Sequence, residues 1–414
     1  MNTDRPIKIC VIGGGFGGLY TALYFSRFDL VKNRKCQVTL IEPNDHFLFT
    51  PLLYELLTGE LQRWEIAPSY SKLLQGTQIQ LRQQTVKTID LKARCVGLMN
   101  DETLSYDYLV LAVGTQNRWA NIPGLKDYAL TFRSLADLER LQTQLHILEN
   151  SERQHLKVAV IGGGPNGVEL SCKIADRLGS RGQVYLIERG DALLKNFSKA
   201  IGKASYKALK ARRIAIHHDC DVEKITADSL RITEQQQAQD LPIDLVIWTA
   251  GTQSREWLSE LDCQQTDQGK LLVHPTLQLL DYPEVLALGD IAQMASTRQN
   301  IPATAQAAFQ QASCAAKNLK AMIKRNRPKP FFYLHLGDML TLGKRSAIIS
   351  SFSINIDGRI ADISRRFIYI LRLPTQRHKT QVLKHWVKNT LIKLGRWLRW
   401  QKQQLFAEKP AKPY

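Results

Sequence analysis

The feature that most constrains this chain is a glycine pattern that occurs twice, each time between a strand-like and a helix-like run. In the first copy Lys8–Ile12 reads as a buried parallel strand. Gly13-Gly14-Gly15-Phe16-Gly17-Gly18 follows, then a helical stretch over Leu19–Phe28, then a strand over Gln37–Ile41 that ends at Glu42. The spacing is G-x-G-x-x-G with an acid closing the next strand. Gly13 permits the tight turn, Gly15 lets the backbone approach a pyrophosphate at the helix N-terminus, and Gly18 lets helix and strand pack closely. Glu42 can accept hydrogen bonds from a ribose.

The second copy runs from the strand Lys157–Ile161 through Gly162-Gly163-Gly164-Pro165-Asn166-Gly167 into a helix over Val168–Leu178. The strand Gln183–Ile187 then ends at Glu188. Its pattern glycines are Gly162, Gly164 and Gly167. A lone G-x-G-x-x-G is weak, because glycines also serve plain turns. With strand, helix and acid in place twice, two dinucleotide sites are expected. A carboxylate at Glu188 holds a free 2′-hydroxyl and repels a 2′-phosphate, which favours NADH over NADPH. The adjacent Arg189 partly offsets that repulsion.

Three further segments tie the copies together. Tyr106–Thr115 is a strand that ends in Gly114-Thr115, and Asp244–Thr252 repeats it, ending in Gly251-Thr252. Val285–Ala292 is a strand that ends in Gly289-Asp290, where an acid can bind flavin ribityl hydroxyls. In this order the motifs resemble the two-dinucleotide-binding-domain flavoproteins over roughly residues 6–318. The resemblance implies an α/β fold with two Rossmann-like domains. The FAD domain is discontinuous (1–118 and 276–325), and an NAD(P)H domain (119–275) is inserted in it. A C-terminal membrane-associating domain (326–414) completes the chain, with an amphipathic basic helix at about 380–405.

Within that family, His46–Glu55 resembles the segment that passes the flavin in type II NADH:quinone oxidoreductases. Pro302–Ala312 is similar to their AQxxxQ signature. Gln306 and Gln310 are four apart, so they share a helix face, and in the family this face lines the quinone site. Phe332–Gly343 resembles the strand that opens the family's C-terminal domain. Glu169 resembles the family's acid near the nicotinamide and quinone sites. The resemblance also assigns Phe16, Gly17, Thr50, Leu52, Val86, Gly114, Asp290 and Ala305 to FAD, and Asn166 and Gly251 to the nicotinamide cofactor. Asn166 stands where the family commonly has Thr. Leu170-Ser171-Cys172-Lys173 stands where it commonly has a run ending in an acid. Ser171–Gly179 and the tail look like the cyanobacterial and plastid branch, which implies plastoquinone or a naphthoquinone such as demethylphylloquinone as acceptor. A soluble reductase that feeds a protein such as a ferredoxin is the alternative.

The seven cysteines are scattered, with no C-x-x-C, so neither a redox disulfide, a disulfide framework nor a metal site is expected. No run approaches the roughly 18 apolar residues of a membrane span. The opening run turns straight into a strand without signal-peptide character, so a cytosolic start is expected. The net charge is +18, and from Ile363 to Tyr414 thirteen cations face one acid, Glu408, a balance of +12. Leu383, Trp386, Val387, Leu391, Leu394, Trp397 and Leu398 fall at helical spacing among Lys384, Lys388, Lys393, Arg396 and Arg399, with Trp400 beyond. That pattern reads as a helix lying on an anionic lipid surface, on the cytoplasmic side of an inner or thylakoid membrane. No nucleic-acid motif accompanies it. A homodimer is a further possible partner.

Overall fold

The computed structural model describes residues 5–296, 299, 301–352 and 354–407. The chain divides into two units, residues 1–365 and 366–414.

The first unit is built on two five-stranded parallel sheets that share the order of four strands and differ in the fifth. In the first, Ile7–Ile12 lies between Cys36–Ile41 and Tyr108–Leu111. Ile79–Arg82 and Val285–Ala287 form the edges. In the second, Leu156–Ile161 lies between Gly182–Ile187 and Leu245–Trp248. Ala215–His217 and Ala129–Thr131 form the edges. The central strands are buried apolar runs because helices and loops cover both faces of a parallel sheet. Each sheet has a three-stranded antiparallel companion before its return strand, over residues 86–105 and 220–242. The two chain crossings between the sheets pair as Gln116–Asn117 with Thr252–Gln253, just after the two Gly-Thr turns.

Both glycine-loop helices start earlier than the sequence predicts, at Phe16 and Pro165 rather than at residues 19 and 168. Propensity counts glycine against a helix. Here Gly18 and Gly167 are helical because the first turn passes so close to the carbonyl of the loop's first glycine that no side chain fits, and Gly17 packs against Leu288 and Ala112. The first helix stops at Phe25, short of the predicted Phe28. It packs against Ala305–Ile323 through that helix's buried Ala308, Ala312 and Ala315, with Thr21 Oγ1 donating to Ala312 O at 3.5 Å.

Two expected boundaries move. Leu258, Leu261, Leu271 and Val273 were assigned to the inserted domain, yet they share one core with Leu109, Leu111 and Val285 of the first sheet. The stretch before residue 276 therefore packs with the first sheet. Of the expected strand over 332–343, only Asp338–Thr341 is a strand, followed by the antiparallel Ala347–Ser351 and Ile354–Asp357. In the second unit one helix spans Gln376–Ala407, longer than the expected 380–405. Leu383, Val387 and Leu391 are exposed along it beside exposed Lys384 and Lys388. The side chains of Lys393, Leu394, Trp397, Leu398 and Trp400, and the residues from Glu408 onward, lie outside the described residues.

Candidate functional site

The two glycine loops are built alike. Gly13 and Gly162 have φ of +96° and +112°, a region that L side chains rarely adopt. A Cβ at Gly18 would lie 1.8 Å from Gly13 O, and a Cβ at Gly167 would lie 1.8 Å from Gly162 O. By contrast, Gly15 and Gly164 face open space. Glu42 Oε2 accepts from Gly14 N at 2.7 Å, and its other oxygen accepts from Asn44 N at 3.0 Å. Glu188 does the same with Gly163 N at 2.5 Å and Gly190 N at 2.8 Å. Each acid therefore fixes its own loop.

The first loop opens on a cleft of about 610 Å³ at the carboxyl ends of Ile7–Ile12 and Tyr108–Leu111, where the strand order reverses. The cleft brings together Gly13, Gly15, Phe16, Gly17, Glu42, Thr50, Val86, Gly114, Asp290 and Ala305, residues from six separate segments. Two assignments differ. Leu52 is buried and does not line the cleft, and Gly18 acts through close packing. Asp290 sits on the turn Gly289–Ile291 and accepts from Thr115 Oγ1 at 3.3 Å. Gln311 Oε1 holds that turn by accepting from Gly289 N at 2.7 Å.

Sequence reading missed four contributors to the cleft. Tyr70 donates to Gly14 O at 2.8 Å, and burial pushes its phenol well above the usual range. Arg255 and Trp257 line the wall. Arg133 reaches in from the other sheet and donates to Thr115 Oγ1 at 3.1 Å, while its Nη1 is buried without a hydrogen-bond partner. Burial lowers the guanidinium's pKa, a preference that a nearby anion reverses. An isolated arginine before a capping serine carries no sequence signal of this task.

None of Gly162, Gly164, Asn166, Gly167, Glu188 and Gly251 lines this cleft. Asn166 instead accepts from Tyr54 OH at 2.9 Å, which links the second loop to the segment carrying Thr50. Behind that contact lies a buried polar layer. Glu169 Oε1 accepts from Thr341 N at 2.8 Å and stands 3.9 Å from Arg365 Nη2. Arg365 is fully buried, donates to Glu55 Oε1 at 2.5 Å and to Pro51 O at 2.7 Å. Burial raises the Glu169 pKa from 4.5 to about 7, against the lowering by Arg365 and the Thr341 amide. Lys173, also fully buried, pairs with Glu60. The acid inside the apolar run Leu52–Leu57 was the available signal for Glu55. Nothing in the sequence joins it to a residue 310 positions away.

Gln306 and Gln310 share a face as their spacing predicts, but their amides hold the chain rather than face the cleft. Gln306 Oε1 accepts from Leu336 N at 2.9 Å and Tyr333 OH at 3.1 Å, and Nε2 donates to Gly337 O at 3.2 Å. Gln310 exchanges two bonds with the Leu334 backbone, at 2.8 and 3.0 Å. The cleft-facing residues of the same turns are Thr304, Ala305 and Ala308.

Residues 7–312 match the family model described as pyridine nucleotide-disulphide oxidoreductase. The chain is 38% identical to a demethylphylloquinone reductase of Synechocystis, over 96% of this chain and 99% of the relative. It is 32% identical to an alternative NAD(P)H-ubiquinone oxidoreductase of Arabidopsis thaliana, over 94% and 82%. In fold it resembles the NDH2 of Plasmodium falciparum, solved with NADH, with a TM-score of 0.82, 20% identity and coverage of 93% and 98%.

Proposed function

This chain belongs to the pyridine nucleotide-disulphide oxidoreductase family, and on that premise we propose that it is an FAD-dependent NAD(P)H:quinone oxidoreductase of the type II class. The carrying observation is the buried layer around Glu169 beside two dinucleotide loops, with no cysteine pair to divert electrons. The seven cysteines are all free.

The residues of the cleft fit a flavin dinucleotide. Gly15 leaves room for a pyrophosphate, and the unpartnered buried Nη1 of Arg133 would answer its charge. Glu42 would hold the adenosine ribose and Asp290 the ribityl chain. When bound, FAD supplies the redox ring, which takes two electrons from the nicotinamide and passes them to a quinone. Gly162, Gly164 and Gly167 would receive the nicotinamide dinucleotide, with Glu188 at its ribose. Asn166, held by Tyr54, fixes the loop against the flavin side. Glu169 holds a proton near neutral pH at a buried carboxyl, the state a general acid needs when a quinone gains electrons. Gln306 and Gln310 act as positioning residues.

The acceptor is a membrane quinone, either plastoquinone or a naphthoquinone such as demethylphylloquinone, the substrate named for the Synechocystis relative. Among the described residues, no helix is long and apolar enough to cross a membrane. The basic helix Gln376–Ala407 is proposed to lie on anionic lipid at the cytoplasmic side. Replacing Lys384 and Lys388 with Gln should weaken binding to anionic vesicles and reduce its salt sensitivity. The deciding test of function is steady-state oxidation of NADH and NADPH with a panel of quinones. Turnover that no quinone raises above the rate with oxygen would overturn the proposal.

A further inference from the structure

One buried arginine serves two carboxyls at unequal range. Arg365, the last residue of the first unit, and Glu55, on the helix Leu53–Leu57, are both fully buried. Arg365 Nη1 donates to Glu55 Oε1 at 2.5 Å, and Nη2 donates to Pro51 O at 2.7 Å. Glu169 stands 3.9 Å from that same Nη2, beyond hydrogen-bond range. The stretch from Pro51 to Glu55 therefore binds the guanidinium directly, and Glu169 receives only its field.

The other groups around Glu169 have partners of their own. Thr341 N donates to Glu169 Oε1 at 2.8 Å. Lys173, one turn further along the helix that carries Glu169, is bound to Glu60. Asp176, a further turn on, is bound by Arg212 at 2.7 Å. Tyr54 donates its hydroxyl to Asn166. Burial, with Glu169 and Glu55 nearby, pushes the Tyr54 phenol well above its ordinary range, so it stays neutral. The Cys172 thiol is likewise pushed up to about 12 by burial. A buried carboxyl ionises only when cations or donors meet its charge. Glu55 has the arginine in contact, whereas Glu169 has one amide. The proton therefore rests on Glu169 for as long as Glu55 keeps Arg365.

We propose that Glu55 is a positioning residue for the reaction, which holds Arg365 away from Glu169 and so leaves the buried proton on Glu169. With Glu55 uncharged, the guanidinium turns to Glu169, favours its carboxylate and removes the proton. Glu55 acts through Arg365 and needs no contact with flavin or quinone. This inference rests on the reading of Glu169 as the group that holds a proton, and it adds the residue that sets when that proton leaves.

The experiment uses the full chain loaded with FAD, with infrared spectra recorded across pH. The carbonyl band of a buried, protonated carboxyl is assigned to Glu169 by its absence in Glu169→Gln. In the parent this band should vanish with a midpoint of about 7. In Glu55→Gln the midpoint should fall by about one pH unit or more. The alkaline limb of quinone reduction should move with it, with a rate about fivefold lower at neutral pH that recovers in acid. Glu55→Asp should keep the parent's midpoint. Glu55→Gln combined with Arg365→Gln should return it to the parent's value or above, because the arginine that favours the carboxylate is gone. An unmoved midpoint in Glu55→Gln overturns the inference, as does a rate loss that is equal at every pH. A parent without the band at about pH 6 overturns it with no variant needed. A Glu169→Gln variant that reduces quinone at the parent's rate overturns the catalytic use of the proton. The band midpoint alone then decides whether Glu55 keeps it there, so the two failures are distinguishable.

Discussion

The two dinucleotide loops share every local device and differ in what surrounds them. Each has a left-handed first glycine, a third glycine with no room for a methyl, and an acid that accepts from the loop's own amide. The first is walled by a cleft drawn from both sheets, with Phe16 set edge-on to Phe47 and Phe49. The second loop's residues lie outside that cleft, and its Asn166 is tied across to Tyr54. The difference teaches that a fingerprint specifies the chemistry of a ligand's phosphate and ribose, whereas the walls decide how long the ligand stays. On the proposed function, the walled loop would keep a resident flavin and the other would receive a cofactor that exchanges each turnover.

The sharpest way to break this comparison is to place the same methyl in each loop. Gly18→Ala and Gly167→Ala meet the same 1.8 Å contact with a carbonyl oxygen. Gly18→Ala should abolish flavin retention, read as loss of the flavin absorbance after purification. Gly167→Ala should keep the flavin and raise KM for the nicotinamide cofactor at least tenfold. Equal flavin loss in both variants would show that the loops are not separate sites.

The next largest effect concerns the joint between them. Lys173 belongs to the second loop's helix and Glu60 to the segment after Leu53–Leu57, downstream of the first loop. Lys173→Met leaves that acid buried and should destabilise by about 3–5 kcal/mol, seen as a lowered urea midpoint. Glu60→Gln in the same chain should recover part of it.

Glu169→Gln tests whether the shared layer handles protons. The folded pKa of Glu169, about 7, lies above its ordinary 4.5. Its contribution to stability is therefore full below 4.5 and is lost as pH rises through 7, because the buried carboxyl must then ionise. The Gln variant should flatten that slope in thermal melts. It should also lower quinone reduction by roughly a hundredfold and remove the alkaline limb near pH 7, with the nicotinamide KM unchanged.

The smallest effect concerns the matching acids. Glu188→Gln should move the kcat/KM ratio toward NADPH by roughly tenfold, the scale of one charge-assisted hydrogen bond and its repulsion. Glu42→Gln should leave that ratio alone and speed flavin release. An unchanged NADPH ratio in Glu188→Gln would mean that this carboxylate serves only its loop.

The fold was readable because its signals are local. Strand, glycine turn, helix and acid lie within about 30 residues, and so do the strands that close each unit. The helix starts were misplaced by three residues because glycine reads as a breaker where close packing makes it helical. The expected role of Gln306 and Gln310 shifted because a shared face says nothing about which chain packs on it. That chain is the backbone at 334–337.

The sequence by itself determined two parallel-sheet halves, two glycine loops each closed by an acid, and a basic tail. Each rests on short-range stereochemistry, where spacing alone dictates what a glycine or an acid can do. Only the tertiary structure decided that Arg133 turns into the first cleft, that Tyr54 reaches Asn166, and that Arg365 lies buried between Glu55 and Glu169. The physical reason is that burying a charge is favourable only when its partners arrive together from distant segments. Such a meeting leaves no period or spacing in the chain that makes it.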